Sequence, residues 1–554
     1  MAHSSKKLGP WIGIGICLAA GGVFCASLGN LWPLAQVDLV VSDRRLETSA
    51  RELLEHRGFE LEGFLAASWL RVDSPALDYL EQAFGLAETQ AWIARGLPVF
   101  EYRVLLKRRD DPTVLQVSWH PSRGALGFSS SVEEDEAGAT LELAEARELA
   151  WRAAAGDLAL ERAEWSEQSA ASRRRPSRTD HDFVYERMLS EKPELRERLN
   201  LVVAGDRVVG ARRSLVVPAQ AERAARAAAA PSVALETLGF GLLAIAATAA
   251  FFVFLARLRD GTVRLGTALV WPTAVLCCFT AATALDAARL FRAWEPLWPR
   301  AVSTLREMVL GQAELIWVLL VLLAVIGAGD ALDRASGAGR GASLAALARG
   351  RLLDRSVALA SSRGFAVGLL CGGVMAAAVW MLDLGAAARV SIQPRGFFFY
   401  PLNSAAPALT SLLFFSGVAL AEELGYRFFG ATWLLKLTRR GWVAVTVPAL
   451  VYGLTHTRLD FLPPAEPFWA RALVLTLVGC VWGWAFLRYD ALTVVLSHLT
   501  ADLFIFGWPA LQSGQALAVV PAALAICVPL APAALYPLLG RHATESPPLS
   551  GSSP

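Results

Sequence analysis

Ten stretches of this chain are apolar over about the length of a membrane crossing, which constrains its fold more than any other feature. A hydrocarbon core about 30 Å thick takes about 20 mostly apolar residues as a helix. Within it, only helices and closed barrels satisfy their own backbone. The stretches are Trp11–Leu31, Ser232–Leu255, Val263–Ala284, Val309–Ala331, Phe365–Leu384, Ala408–Leu435, Trp442–Thr457, Trp469–Leu487, Ala491–Pro509 and Ala516–Leu539. The seventh and ninth are short and carry polar residues. From about Val37 to Arg226 the sequence is instead rich in Arg, Glu and Asp. The chain-wide figures of 55% hydrophobic and 18% charged residues therefore average two compositions. The 52 Lys and Arg nearly balance the 50 Asp and Glu, so charge gives no argument for a nucleic-acid partner.

The expected fold class is a polytopic all-α membrane protein of about ten transmembrane helices, with an extracytoplasmic α+β domain inserted after the first helix. The expected divisions are a transmembrane anchor over 1–36, the α+β domain over 37–230, further membrane helices with a cytoplasmic loop over 231–400, a membrane core over 401–540 and a disordered tail over 541–554. Lys and Arg in short loops set orientation. Lys6 and Lys7, the Arg-rich loop after the fourth stretch (Arg334, Arg340, Arg349, Arg351, Arg355, Arg363) and Lys436, Arg439 and Arg440 all fall inside if both termini are cytoplasmic. The polar block is then outside, which the rule allows because long domains translocate largely regardless of charge. The first apolar run is longer than a signal-peptide core and no small-residue cleavage site follows it, so it reads as an uncleaved anchor. The expected location is the inner membrane of a bacterial cell.

All seven cysteines lie in apolar stretches and none in the polar block. Disulfides therefore do not hold that block together. It carries a faint internal repeat: Ala50-Arg51-Glu52-Leu53 recurs as Ala146-Arg147-Glu148-Leu149, and Phe100-Glu101-Tyr102 as Phe183-Val184-Tyr185. Period-two runs follow in both halves, and Ala204-Gly205-Asp206 breaks one of them as a hairpin turn would. The expectation is two α+β units, each a helix on a small antiparallel sheet. Arg173-Arg174-Arg175 reads as a solvated loop. His56, His120 and His181 show no metal-ligand spacing and read as structural or exposed. A short amphipathic helix is expected in the loop near 335–363.

A charge at the centre of a membrane helix costs about 2.5–3.5 kcal/mol on insertion scales, so intramembrane acids are functional candidates. One dense cluster stands out. Glu423 and Arg427 are four apart and share a helix face, so they can pair. Glu422 is rotated by about 100° and cannot reach the same partner. That leaves one acid structural and the other free to face a cavity. His456 and His498 are the only histidines between His181 and His542. His498 and Asp502, again four apart, can act on one ligand. Taken singly, a histidine in an apolar helix is more often a satisfied core residue. Together, these groups on three helices are the parts of a hydrolytic site: a carboxylate or imidazole to activate water and a polar pair to stabilise an oxyanion.

Glu422-Glu423-x-x-x-Arg427, Tyr452-x-x-x-His456 and His498-x-x-x-Asp502 resemble the three motifs of the CPBP family, the intramembrane peptidases that include CAAX proteases and bacteriocin-processing enzymes. The second motif commonly begins with Phe and here has Tyr452. The third accepts Asn or Asp and here has Asp502. The likeness spans roughly 400–510. It implies a helical core with a polar cavity in the bilayer and hydrolysis of peptide bonds in a membrane-associated protein or peptide. It further implies that Glu422 and His456 activate water, that His498 and Asp502 form the oxyanion side, and that Glu423 and Arg427 are a structural pair. No cofactor is called for with certainty. Two histidines with carboxylates could hold Zn²⁺, through Glu422, His456 and His498, but the H-E-x-x-H spacing is absent and Glu-activated water is the preferred reading. Two other readings stay open: a non-catalytic scaffold or immunity protein with an outer binding domain, and a proton-coupled transporter using the same groups as a relay.

Overall fold

The computed structural model describes residues 10–31, 43–191, 193–386, 389–391, 404, 406–458, 465–512 and 516–540. Lys6, Lys7 and the tail expected over 541–554 lie outside the described residues.

After helix α1 (Pro10–Leu31) the polar block folds as α2 (Asp43–His56), β1 (Leu65–Val72), α3 (Ser74–Ala94), β2 (Phe100–Lys107), β3 (Val114–His120) and β4 (Gly124–Ser130). The second half follows as α4 (Leu143–Leu158), β5 (Ser166–Arg174), β6 (Thr179–Ser190), β7 (Leu195–Ala204) and β8 (Arg207–Val216). The strands form one antiparallel sheet in the order β1-β2-β3-β4-β8-β7-β6-β5. Two separate small sheets were expected. Instead, each half is a four-stranded run of neighbours, and the halves fuse where Gly127, Phe128 and Ser129 pair with Arg212, Ala211 and Gly210. The repeat is visible in the packing. Ala50 of α2 and Ala146 of α4 are both fully buried, and the sheet face beneath carries Val104, Val117, Phe128, Phe183, Leu199 and Leu201. The β7–β8 hairpin closes with Ala204 paired to Arg207, and Gly205 takes the positive φ of +61° that the tight turn requires.

One detail of the block differs from expectation. Arg173 and Arg174 end the exposed edge strand β5 rather than a loop. His120 and His181 are buried, and both are hydrogen-bonded. Burial, with Arg123 and Arg213 nearby, pushes the His120 pKa down to about 4.

The apolar remainder is helical. The helices are α5 (Ala219–Arg259), α6 (Leu265–Leu285), α7 (Ala287–Ala293), α8 (Arg300–Ser336), α9 (Ala342–Ala348) and α10 (Arg355–Ala386). A two-residue strand β9 (Arg389–Val390) precedes α11 (Pro407–Thr438), α12 (Gly441–Thr455), strand β10 (Ala465–Glu466), α13 (Ala470–Arg488), α14 (Ala491–Gln512) and α15 (Ala516–Leu539). Among the described residues, eight helices are long and apolar enough to cross a membrane. Shorter apolar helices occupy the first and seventh expected stretches, over Gly15–Gly29 and Gly441–Thr455. The ninth stretch, read as short, is a 22-residue helix over Ala491–Gln512. The loop after α8 holds a short helix, α9, as expected.

The sheet domain is fastened to the helices in several places. Leu77 and Leu80 of α3 share an apolar cluster with Phe24 and Leu28 of α1 and with Ile505 of α14. Lys107 at the end of β2 donates to the carbonyls of Arg292 (3.0 Å) and Trp294 (2.6 Å), which caps the last turn of α7. Strand β8 runs into α5 across only Val217 and Pro218. Along α5, Gly239 meets α12: a Cβ there would lie 2.6 Å from the Thr455 nitrogen.

Candidate active site

Three helices bring the six charged candidates together. Helix α11 passes into a π-helical stretch over Leu424–Ala431, immediately after the acid pair. Such wide turns cluster at functional sites. Arg427 Nη1 donates to Glu423 Oε1 at 2.9 Å. Both side chains are fully buried, so each depends on the other to offset desolvation. Arg427 also lies 4.8 Å from the centre of the Tyr452 ring and 5.2 Å from that of Trp482. It reaches α13 through Gly479, where a Cβ would stand 3.0 Å from Nη2.

Glu422, on the adjacent face, turns to the histidines, as the helical rotation requires. Its Oε1 is 3.5 Å from His456 Nε2 and its Oε2 is 3.9 Å from His498 Nε2. Oε2 is buried and has no hydrogen-bond partner among the described residues. His498 Nε2 is also 3.4 Å from Asp502 Oδ2.

Both imidazoles are oriented from behind. His456 Nδ1 lies 2.7 Å from the Tyr452 carbonyl oxygen. A carbonyl only accepts, so Nδ1 carries the hydrogen and Nε2 faces Glu422. His498 Nδ1 lies 2.8 Å from Glu423 Oε1. That oxygen already accepts from Arg427, and this Nδ1 donates to it too. Glu422 thus lies beside the Nε2 atoms of both His456 and His498, with Asp502 next to the latter, a geometry suited to handling a water and a developing oxyanion.

The cluster lies well inside the helical layer. Helix α12 has 15 residues and ends with His456 as its C-cap, where the imidazole is buried. At its back, α14 rests directly on α10: a Cβ at Gly368 would stand 2.8 Å from the Ser497 carbonyl oxygen. Ile505, one turn beyond Asp502, already belongs to the cluster shared with the sheet domain.

Among the described residues, no group of three or more His, Cys, Asp or Glu is placed to hold a metal.

Several contributors carry no sequence signal of their own. Trp482 and Gly479 of α13 lie in an ordinary apolar run. Tyr426 sits inside the first motif, and its hydroxyl bonds Thr455 Oγ1 at 2.9 Å, beside His456.

Fold and site together define a polytopic helical membrane protein with a buried Glu–His–Asp cluster between its helices. Within it, residues 404–504 match the family described as type II CAAX prenyl endopeptidase Rce1-like, in agreement with the three motifs. The matched segment contains all six site residues and leaves the sheet domain and α1 to α10 outside. At the level of class this supports a CAAX-type membrane protease. No curated protein and no solved structure matches the chain.

Proposed function

We propose that this protein is an intramembrane endopeptidase that hydrolyses a membrane-associated protein or peptide with Glu-activated water. The observation that carries the reading is the convergence of Glu422 with the outward-facing Nε2 atoms of His456 and His498. In the reaction, water held between Glu422 and His456 Nε2 attacks the scissile carbonyl carbon. Its proton passes to Glu422, and the carbonyl electrons move onto oxygen. His498, doubly protonated, presents Nε2–H to that oxyanion, with Asp502 beside it. Collapse of the intermediate breaks the C–N bond, and Glu422 returns the proton to the leaving amine. Glu423 and Arg427 hold His498 in place and touch no reacting atom.

We place the sheet domain outside the membrane and both termini in the cytoplasm, in a bacterial inner membrane crossed ten times. Alternating the ten helices puts the end of α1, the start of α5, α7 and the end of α14 on one side. Those are the parts in contact with, or continuous with, the sheet domain. On this reading the site opens toward that domain, which helps to select or present substrate.

The test is peptide hydrolysis by the full chain in proteoliposomes. Glu422→Gln, His456→Ala and His498→Ala should each abolish cleavage while helical content and membrane insertion stay as in wild type. Undiminished hydrolysis in all three variants would sink the reading. Solute uptake without proteolysis would favour a transporter, and neither activity a scaffold.

A further inference from the structure

The three motifs lie on α11, α12 and α14, yet a fourth helix touches the site. Trp482 of α13 stacks on the imidazole of His498, with ring centres 4.4 Å apart and planes inclined by 21°. Its Nε1–H donates to Ser497 Oγ at 2.8 Å. Ser497 is the residue before His498 and is fully buried, so the indole is tied to the backbone that carries the histidine. Tyr452 meets the same imidazole edge-on, at 6.1 Å and 90°.

These contacts complete a constraint that the hydrogen bond to Glu423 leaves unfinished. A single Nδ1–H···O bond fixes one atom of the ring but allows the plane to swing about that bond, which would carry Nε2 away from Glu422 and Asp502. A parallel indole against one face removes that freedom. The same face attracts the ring when it carries a second proton, through the indole quadrupole. The unpartnered alternative is costly, because a buried indole N–H without an acceptor loses the free energy of a hydrogen bond. Ser497 therefore fixes the indole as the indole fixes the imidazole.

We propose that Trp482, anchored by Ser497, is a positioning residue that holds His498 Nε2 toward the reacting centre. Its effect on turnover rests on the peptidase reading, whereas its effect on the ring does not.

The experiment uses full-length protein in detergent micelles, labelled with ¹⁵N-histidine, with the His498 signals assigned by comparison with His498→Gln. Wild type should show one Nδ1-protonated, upfield-shifted imidazole for His498. Trp482→Leu should lose the upfield shift and broaden the signal, and Trp482→Phe should keep both features. Ser497→Ala should give an intermediate result. In proteoliposomes Trp482→Leu should lower kcat by about 10²-fold, the scale of a misplaced catalytic group, with KM little changed, and Trp482→Phe should recover most of the loss. An unchanged His498 signal in Trp482→Leu overturns the proposal. So does a kcat loss that Phe fails to rescue. If wild type cleaves nothing, the peptidase reading falls, and the imidazole signal still decides the positioning role.

Discussion

Removing the Arg427 guanidinium should expose how much of the site depends on one buried ion pair. In Arg427→Met the Glu423 carboxylate, with 0% of its side chain exposed, keeps only the His498 Nδ1–H as partner. Breaking a buried pair from one side costs about 3–5 kcal/mol, because the remaining charge stays desolvated. The rings of Tyr452 and Trp482 also lose the cation they face, worth about 0.5–2 kcal/mol more. A loss near 4 kcal/mol changes the folded-to-unfolded ratio by about 10³-fold. Replacing both partners by apolar groups, as Glu423→Leu with Arg427→Met, removes the stranded charge and should return at least half of that stability. Activity should not return, since His498 has lost its acceptor. The assay is a double-mutant cycle on purified protein in mixed micelles, with denaturant unfolding followed by circular dichroism and hydrolysis measured on the same samples. The singles and the double should be non-additive by at least about 1 kcal/mol. A cost below about 1 kcal/mol for Arg427→Met, or strict additivity, would show that the pair does not carry its own desolvation and refute the reasoning.

Other expectations are simpler. His120 has its pKa lowered to about 4, so between there and its ordinary value near 6.5 the unfolded chain binds a proton that the folded domain does not. Stability is therefore complete above about pH 6.5 and falls by up to about 3 kcal/mol as the pH drops toward 4. His120→Gln should flatten that slope in urea unfolding at pH 5 and pH 7. At Gly453 a Cβ would collide with Thr476 Oγ1 and the Ala472 carbonyl, so Gly453→Ala should pry α12 from α13, cost about 1–3 kcal/mol and reduce hydrolysis through His456. Thermal melts and turnover would check it. Chelation with 1,10-phenanthroline or EDTA should leave hydrolysis unchanged, and loss of activity restored by Zn²⁺ would overturn the water-activation scheme.

Much of this site is legible in the sequence because helical geometry is local. The i, i+4 spacing pairs Glu423 with Arg427 and His498 with Asp502, and a single step of rotation separates Glu422 from Glu423. What sequence leaves out is contact between helices. Trp482 sits among apolar residues of α13, and nothing in that run distinguishes a tryptophan that stacks on a histidine from one on the outer surface, such as Trp484, which is half exposed. Gly479 is equally silent, since its use is the space it leaves for Arg427. In the polar block the repeat was readable from Ala50 and Ala146, and the β7–β8 turn from Gly205. The fusion of the two halves was not, because three pairings between β4 and β8 have no local signature.

That seam also bears on how the domain acquires its shape. Every other strand pair in the sheet joins neighbours in sequence, with short loop closures within each half apart from the α3 connection between β1 and β2. The pairing of Phe128 with Ala211 closes a loop containing α4 and three strands. Non-local contacts form late because their loop entropy must be met before they contribute. Each half can therefore assemble as soon as it has been synthesised, whereas the seam must wait for β8. Since β8 leads straight into α5, the last step of folding the domain and the insertion of the second long apolar helix are adjacent events in time, and delay in either leaves the edges of β4 and β8 exposed to other chains.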